Sequence, residues 1–245
     1  MHFLRAFKES MDYVIIVAIG CAIHDLTDPP ETYFSDKNNF LNQYFVKLSW
    51  GWTCGVALVF LLPASYIVRN GDGWKIAKDS LRLVVGTLEW YCWVGLFFWI
   101  EDATGQCSGG EQYSTKKSCV RSGHQWDGYD ISGHTFLLIH CALLVWEELS
   151  YYMKLETRSK SKSQIKKKPY LHLFVRFTVL LMTLLALLWE FMLVWTQVYF
   201  HTTSHKAIAL AVALGNWYIT YRVLYGKLFP DMHTRITGKE GKPVL

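Results

Sequence analysis

The chain has 245 residues, of which 51% are hydrophobic, 16% aromatic and 18% charged. Soluble domains average about 25% charged residues, so this composition disfavours a water-soluble fold. A net charge of +5 in a soluble protein would suggest a nucleic-acid partner, but here the basic residues cluster between apolar runs, and no nucleic-acid partner is predicted. The chain has no internal repeat and no Pro-, Gly- or Ser-rich linker, which predicts one polytopic membrane domain over residues 1–245.

Six apolar segments are long enough, or nearly long enough, to cross a bilayer. A spanning helix needs about 20 mostly apolar residues and satisfies its own backbone hydrogen bonds. The predicted spans are residues 12–24, 44–68, 82–101, 131–151, 172–196 and 206–226. The first is the shortest, and because no small-residue cleavage site follows it, we expect a retained span rather than a removed signal peptide. The sequence predicts an all-α integral membrane protein of about six transmembrane helices.

The basic residues are divided unequally between the two sides of these spans. Of the 25 Lys and Arg residues, 19 lie in the N-terminal tail, near 69–82, in 152–176 and in the C-terminal tail. Positively charged loops stay in the cytosol, which predicts that both termini are cytosolic. The loops 25–43, 102–131 and 197–205 are then predicted to lie on the opposite side, in the lumen of the endoplasmic reticulum or an equivalent space.

Polar residues inside the spans have alternative explanations. Lys47 lies about a turn inside the lumenal end of the second span, where it either snorkels to the surface or supplies positive charge to a bound phosphate. Glu89 and Glu190 are carboxylates within spans, and such residues mark polar interior positions. Glu190 lies about 16 Å along a helix from His201, which is too far for direct participation in a site there.

Two of the six cysteines lie in one lumenal loop. Cys107 and Cys119 are twelve residues apart among Gly, Ser and charged residues, and an oxidising compartment favours the pairing of such cysteines. We therefore predict a Cys107–Cys119 disulfide, the alternative being two free thiols. A metal site is not predicted, because the chain has no CxxC with a matching His pair at zinc-finger spacing.

The most informative stretch is residues 127–136, where a polar loop becomes the fourth span with the sequence Asp-Gly-Tyr-Asp-Ile-Ser-Gly-His-Thr-Phe. Asp130 or Ser132 is explained most simply as a helix cap. A helix N-terminus also offers free N–H groups and a positive dipole end to a phosphate, and Gly133 lets a ligand approach that backbone closely. His134, in the first turn, is suited to act as a general acid near neutral pH.

A second histidine, His201, lies at the lumenal end of the fifth span. The predicted topology places it at the same depth as His134. A single histidine at a membrane interface is more often an anchor or a satisfied polar group. Two on one face, one of them in a Ser-Gly-His turn, favour a catalytic pair.

Several separated motifs occur in order along most of the chain. They are Lys37-Asn38-Asn39, Tyr44 to Leu48, Trp50 to Thr53, Val85 to Thr87, Ile100-Glu101 with Thr104-Gly105 and Cys107, Gly128 to His134, Cys141 to Leu143 with Glu147-Glu148, and Val198 to His201. This combination resembles the FIT family, the fat storage-inducing transmembrane proteins of the endoplasmic reticulum. The family is in turn distantly similar to the lipid phosphate phosphatases.

The resemblance implies a role for each residue of the site. His201 is the expected nucleophile at phosphorus, and His134 is the expected acid that protonates the leaving group. Ser132 and Gly133 are expected to hold phosphate oxygens, and a covalent phosphohistidine would divide the displacement into two easier steps. The phosphatases carry a Lys/Arg-Pro motif and an arginine ahead of the final histidine. This chain has no clear counterpart to either, and Phe200 precedes His201.

Other residues must therefore neutralise the transition-state charge. Lys47 is the expected substitute for the missing basic residues, and Lys206 is a weaker one. Asp130 is expected to contribute to substrate binding together with Lys47. No cofactor or metal is expected at this site.

The resemblance also implies a fatty acyl-CoA diphosphatase of the endoplasmic reticulum membrane, with its active site facing the lumen. The expected products are acyl 4'-phosphopantetheine and adenosine 3',5'-bisphosphate, and the expected cellular role is support of lipid droplet formation. The expected partners are fatty acyl-CoA and membrane lipids, including triacylglycerol and diacylglycerol. Two alternatives stay open, a non-enzymatic protein that partitions neutral lipid and a phosphatase for lysophosphatidic or phosphatidic acid. A transporter is less favoured, since the sequence has neither an inverted repeat nor matched broken helices.

Overall fold

The structure, a computed structural model, describes residues 2–110, 112–158 and 168–228. Its α-helices are α1 (His2–Leu26), α2 (Ser49–Val68), α3 (Gly73–Thr104), α4 (Lys116–Arg121), α5 (Gly133–Arg158), α6 (Pro169–Tyr199), α7 (Thr203–Tyr218) and α8 (Tyr225–Leu228). Two π-helical turns, Asn42–Val46 and Ile219–Leu224, precede α2 and follow α7. Strands β1 (Gln106–Cys107) and β2 (Trp126–Asp127) pair antiparallel. Parts of the predicted basic loop and C-terminal tail, residues 159–167 and 229–245, lie outside the described residues.

Five helical segments of the described chain are long and apolar enough to cross a membrane. They are α2, α3, the Gly133–Lys154 part of α5, α6, and α7 continued to Leu224. The prediction of an all-α membrane protein is therefore confirmed. The helix α1 is not among the five; its buried residues Tyr13, Val17 and Cys21 repeat at helical spacing on the side that packs against α6 and α7. The number of about six spans and the cytosolic position of both termini stay predictions.

The helix α3 begins well before the predicted boundary of the third span. The loop predicted near 69–82 ends at Asp72, whose carboxylate accepts a hydrogen bond from Lys75 N at 3.3 Å and caps the helix. Lys75, Lys78 and Arg82 therefore lie on the first turns of α3 rather than in a loop. Lysine and arginine are strong helix formers, so a basic stretch next to an apolar span extends the helix when a cap precedes it.

The helix α5 is the centre of the bundle. Within the apolar stretch of each candidate span, 78% of the residues of α5 are buried inside the molecule, against 17% to 33% for the other four spans. Its fully buried residues include Phe136, Leu138, Ile139, Ala142 and Val145, which point in different directions, as in a helix that is covered on all sides. Because α2, α6 and α7 surround α5, its first turn lies among the ends of other helices.

Arg82 and Glu148 form a buried ion pair between α3 and α5. Arg82 Nη2 lies 2.6 Å from Glu148 Oε2, and each side chain is 1% exposed. Removing one partner of such a pair leaves a buried charge uncompensated, at a cost of about 3–5 kcal/mol. Arg82→Met and Glu148→Met are each expected to lower the midpoint of thermal unfolding in detergent. The double variant is expected to recover part of the loss, and single variants as stable as the wild type would contradict the prediction.

At one end of the bundle, hydrogen bonds join the end of α1 to the end of α6 and the start of α5 to the start of α7. His24, near the end of α1, lies with Nδ1 2.9 Å from the Val198 carbonyl oxygen, near the end of α6. Ser132 N, just ahead of α5, donates to the His205 carbonyl in the first turn of α7 at 3.4 Å. The two histidines predicted to be catalytic therefore lie at the same end of the bundle.

A disulfide-closed segment connects α3 to α5 at this end. Cys107 and Cys119, the pair predicted from the sequence, form a disulfide with a Cα–Cα distance of 5.7 Å. Trp126 on β2 anchors the segment by donating from Nε1 to the Glu101 carbonyl of α3 at 3.2 Å. The strand β2 then leads directly to Asp130 and the start of α5.

Candidate functional site at one end of the bundle

His134 lies in the first turn of α5. Thr135 N donates to Ser132 Oγ at 3.3 Å, so Ser132 caps the helix, and its side chain is fully buried. This geometry matches the capping interpretation of Ser132, whereas its role in phosphate binding stays a prediction. A Cβ atom added to Gly133 would meet nothing within 4 Å, which leaves open space beside the backbone that a ligand is predicted to approach.

His201 lies in the short turn between α6 and α7. Phe200 N closes the last hydrogen bond of α6, to the Thr196 carbonyl at 3.2 Å. His201 itself has a φ of 59°, in the left-handed region, and such conformations cost roughly 1–3 kcal/mol and cluster at functional sites. Its Nδ1 lies 3.5 Å from Asp130 Oδ2. The strained turn therefore holds the imidazole against the loop that leads into α5.

The two histidines lie close enough together to interact. His134 and His201 interact electrostatically, and the charges that act on His134 also include Asp130, Lys47 and Lys37. These residues come from the loop ahead of α5, the turn after α6 and the segment ahead of α2. The fold thus brings these charged residues together from three distant parts of the sequence. Lys206, the weaker candidate, acts on His201 from the first turn of α7.

The surroundings of His201 favour its neutral form. Burial, the largest effect, lowers the pKa of His201 below its usual value of 6.5. Asp130 raises that pKa, while three other groups lower it further: His205, Lys37 and Lys206. Because the net direction is downward, the His201 imidazole is neutral at pH 7, the form in which a ring nitrogen has a lone pair available for attack.

Two lysines ahead of α2 contribute positive charge to the site. Lys47, predicted to bind phosphate, is exposed and donates from Nζ to Gln43 Oε1 at 2.9 Å. The same amide donates from Nε2 to the Lys37 carbonyl at 2.9 Å, so Gln43 ties the two lysines together. Lys37, which acts electrostatically on both histidines, has no role in the sequence-based prediction. A single lysine in a loop has no sequence spacing that would mark it as a functional residue. The sequence points to Lys37 only through the Lys37-Asn38-Asn39 motif.

A chain of buried polar side chains links the start of α5 to the end of α6. Ser132 Oγ and Thr135 Oγ1 are 2.8 Å apart, and Gln197 Nε2 donates to Thr135 Oγ1 at 2.9 Å. All three residues are fully buried, and so is Lys206. The sequence gives no signal for this network, because its members lie on different helices and each looks like an ordinary polar residue near a helix end.

The intramembrane Glu190 is not part of the site. Its Oε1 accepts hydrogen bonds from Tyr13 Oη at 3.0 Å and from Trp146 Nε1 at 2.8 Å, which joins α1, α5 and α6 away from the histidines. Within residues 2–110, 112–158 and 168–228, no group of three or more His, Cys, Asp or Glu side chains is placed to hold a metal ion.

The fold and the site define a polytopic helical membrane protein with a cluster of charged and ionisable side chains at one end of its bundle. A helix N-terminus, two histidines, a carboxylate and two lysines converge there, and helix N-termini and lysines are common phosphate-binding elements. The chain belongs to the FIT family: the family described as fat storage-inducing transmembrane protein matches residues 30–111 and 98–221.

Relatives from three animals cover most of the chain. The Drosophila melanogaster relative is 34% identical over 83% of this chain and 54% of its own length. The Xenopus laevis relative is 36% identical over 84% of this chain and 78% of its own, and the Homo sapiens relative is 35% identical over 91% and 86%. Each is named acyl-coenzyme A diphosphatase FITM2. The chain spans about half the length of the Drosophila relative, and no solved structure matches it.

Proposed function

We propose that this protein hydrolyses the diphosphate bond of fatty acyl-CoA at the His134–His201 site, releasing acyl 4'-phosphopantetheine and adenosine 3',5'-bisphosphate. The names of the relatives support the substrate and the reaction. The observation that carries the proposal is the convergence of His134, His201 and Asp130 at one end of the helical bundle. A neutral imidazole beside a carboxylate is suited to nucleophilic attack on phosphorus.

The nucleophile in this proposal is Nε2 of His201. Asp130 faces Nδ1 at 3.5 Å and favours the tautomer with the proton on Nδ1, which leaves the lone pair on Nε2. Nε2 forms a bond to one phosphorus as the bond from that phosphorus to the bridging oxygen breaks. His134 gives a proton to the departing oxygen. Water then attacks the phosphohistidine, transfers a proton to the now neutral His134 and restores His201.

The charge of the diphosphate is met by the lysines and the helix end. Lys47 and Lys37 act electrostatically on His134, and both belong to the segment tied by Gln43. The N–H groups at the start of α5, next to the open space at Gly133, provide further positive partial charge. These groups replace the basic motifs of the lipid phosphate phosphatases that the chain lacks.

The protein is proposed to reside in the endoplasmic reticulum membrane with this site in the lumen and both termini in the cytosol. The Cys107–Cys119 disulfide near the site supports an oxidising compartment. A glycosylation acceptor inserted in the loop near Gly110 is expected to be modified, whereas one added at the C-terminus is expected to stay unmodified. The reverse pattern would contradict the orientation. Triacylglycerol and diacylglycerol are further proposed lipid partners, and lipid droplet formation is the proposed cellular role.

A substrate panel tests the proposed reaction. The purified protein is expected to release adenosine 3',5'-bisphosphate from oleoyl-CoA, and to act on oleoyl-CoA with a higher kcat/KM than on lysophosphatidic or phosphatidic acid. Preference for the phosphate monoesters would favour the alternative phosphatase. Absence of hydrolysis for every substrate, together with binding of diacylglycerol, would favour the neutral-lipid partitioning protein.

A further inference from the structure

Lys206 is a fully buried lysine in the first turn of α7. Its Nζ donates to the Gln197 carbonyl near the end of α6 at 2.8 Å. Burying an ammonium group is costly unless it is hydrogen-bonded and its charge is balanced. A side chain of this kind at the end of a helix therefore calls for an explanation beyond filling space.

The bond from Lys206 to Gln197 spans the turn that carries His201. Gln197 lies before the turn and Lys206 after it, so one side chain joins the two sides of a segment whose centre is the strained His201. A second bond within the turn, from Lys206 N to the Thr202 carbonyl at 3.2 Å, begins α7. The backbone around His201 is thus closed by both the main chain and the side chain of Lys206.

Gln197 is also hydrogen-bonded to α5. Gln197 donates from its side chain to Thr135 Oγ1 at 2.9 Å, and Thr135 in turn pairs with Ser132 at 2.8 Å. The residue that accepts the Lys206 bond therefore also contacts the helix that begins with His134. Movement of Gln197 would change the position of one histidine relative to the other.

The helix α1 packs against this arrangement from the other side. A Cβ atom added to Gly20 would lie 2.3 Å from Gln197 Cβ, so only a glycine allows this close approach. Cys21 and Asp25, on the same helix, interact with Lys206, and Asp25 Oδ2 accepts a hydrogen bond from Thr203 Oγ1 at 2.7 Å. Asp25 is therefore a negatively charged residue near enough to act on the buried lysine.

We propose that Lys206 is a positioning residue whose side chain staples the turn between Gln197 and α7 and thereby fixes the His201 ring against Asp130 and opposite His134. The inference rests on the proposed function of His201 as nucleophile. Lys206 has no contact with substrate in this role; it acts through the backbone of the turn and through its charge.

The charge of Lys206 has a separate consequence for titration. The charged groups that act on His201 are Asp130 ahead of α5, His205 and Lys206 on α7 and Lys37 ahead of α2; His134 on α5 also interacts with it. Removing the positive charge of Lys206 removes one of the effects that lower the pKa of His201. The acid limb of the kcat/KM profile is therefore expected to move to higher pH.

The test compares Lys206→Met with the wild type in detergent or in liposomes, with oleoyl-CoA as the substrate. A displacement of about 1 Å costs on the order of 100-fold in rate, so kcat is expected to fall roughly 10- to 100-fold while KM changes little. The acid limb is expected to shift to higher pH. Lys117→Met, at an exposed lysine of the disulfide-closed segment, is the matched control and is expected to behave like the wild type.

Lys206→Gln separates the effect of the hydrogen bond to Gln197 from the effect of the positive charge. Its amide donor is able to bond the Gln197 carbonyl without a charge, so part of kcat is expected to return while the acid limb stays at higher pH. The shape of a pH profile does not depend on the fraction of folded enzyme. A loss of rate with an unchanged acid limb in both variants would identify a merely structural role and overturn the proposal, as would wild-type kinetics.

Failure of the proposed function and failure of the Lys206 proposal give different results. If the wild type cleaves a phosphate monoester but not oleoyl-CoA, the proposed substrate is wrong, and the same comparison made on the monoester still decides whether Lys206 positions His201. If oleoyl-CoA is cleaved and Lys206→Met has the kcat and the pH profile of the wild type, the positioning role of Lys206 is wrong and the proposed function stands.

Discussion

His201→Ala is expected to lower kcat for oleoyl-CoA hydrolysis by about 10⁴-fold or more, because removal of a nucleophile commonly costs 10⁴ to 10⁶. His134→Ala is expected to cost about 10²- to 10⁴-fold, the range of general acid catalysis. The two residues act in one displacement, so the double variant is expected to be about as slow as His201→Ala alone. Release of adenosine 3',5'-bisphosphate is the measurement.

The matched control for these variants is His124→Ala. His124 lies in the disulfide-closed segment and packs its ring 5.1 Å from that of Tyr113, outside the site, so its replacement is expected to leave kcat near the wild-type value. Folding is checked by the thermal unfolding midpoint of each variant. Rates within a few-fold of the wild type for both His134→Ala and His201→Ala would remove the catalytic assignment. A radiolabelled phosphohistidine trapped in the wild type and absent from His201→Ala would support the covalent step.

Asp130→Asn is expected to move the acid limb of the kcat/KM profile to lower pH and to reduce kcat by roughly 10- to 100-fold, since an oriented imidazole is part of general base and nucleophilic catalysis. The direction follows from the charges. The neutral imidazole of His201 is the reactive form, so activity falls as the pH drops through the pKa of His201. Asp130 raises that pKa by stabilising the imidazolium, and its neutral replacement lowers it.

Asp127→Asn provides the control for Asp130→Asn. Asp127 is an exposed residue of β2 in the same connection, so it tests whether any loss of negative charge near α5 changes the profile. It is expected to leave the acid limb in place. An Asp130→Asn limb at the wild-type pH, or at higher pH, would contradict the placement of Asp130 beside His201. The opposite shifts expected for Asp130→Asn and Lys206→Met make the pair of variants a stringent test of the electrostatics.

The membrane helices were predictable from the sequence because lipid requires long apolar segments whatever the tertiary packing is. Each predicted span overlaps a helix of the structure, and five helices meet the length and composition of a span. The ends of the helices were less predictable. Arg82 lies at the limit between a predicted loop and a predicted span, whereas in the structure it lies well inside α3 and pairs with Glu148 of α5. Such a contact between distant residues leaves no mark on local hydropathy.

The site was predictable in part, for a related reason. The Ser-Gly-His turn and the histidine after the fifth span are local features, and the alternation of spans brings His134 and His201 to one end. The contribution of Lys37, the burial of Lys206 and the network through Thr135 and Gln197 required the tertiary structure. Each depends on how closely neighbouring helices approach.

By itself the sequence determined that the protein lies in a membrane, which segments form its helices and that the two histidines share an end of the bundle. The period and length of apolar segments and the order of the spans are properties of the chain alone. Only the tertiary structure decided that Asp130 lies beside His201, that Ser132 serves as a buried cap, and that a lysine inside the protein holds the His201 turn. Hydrogen bonds and charges act over a few ångströms, and those distances exist only after the helices have packed.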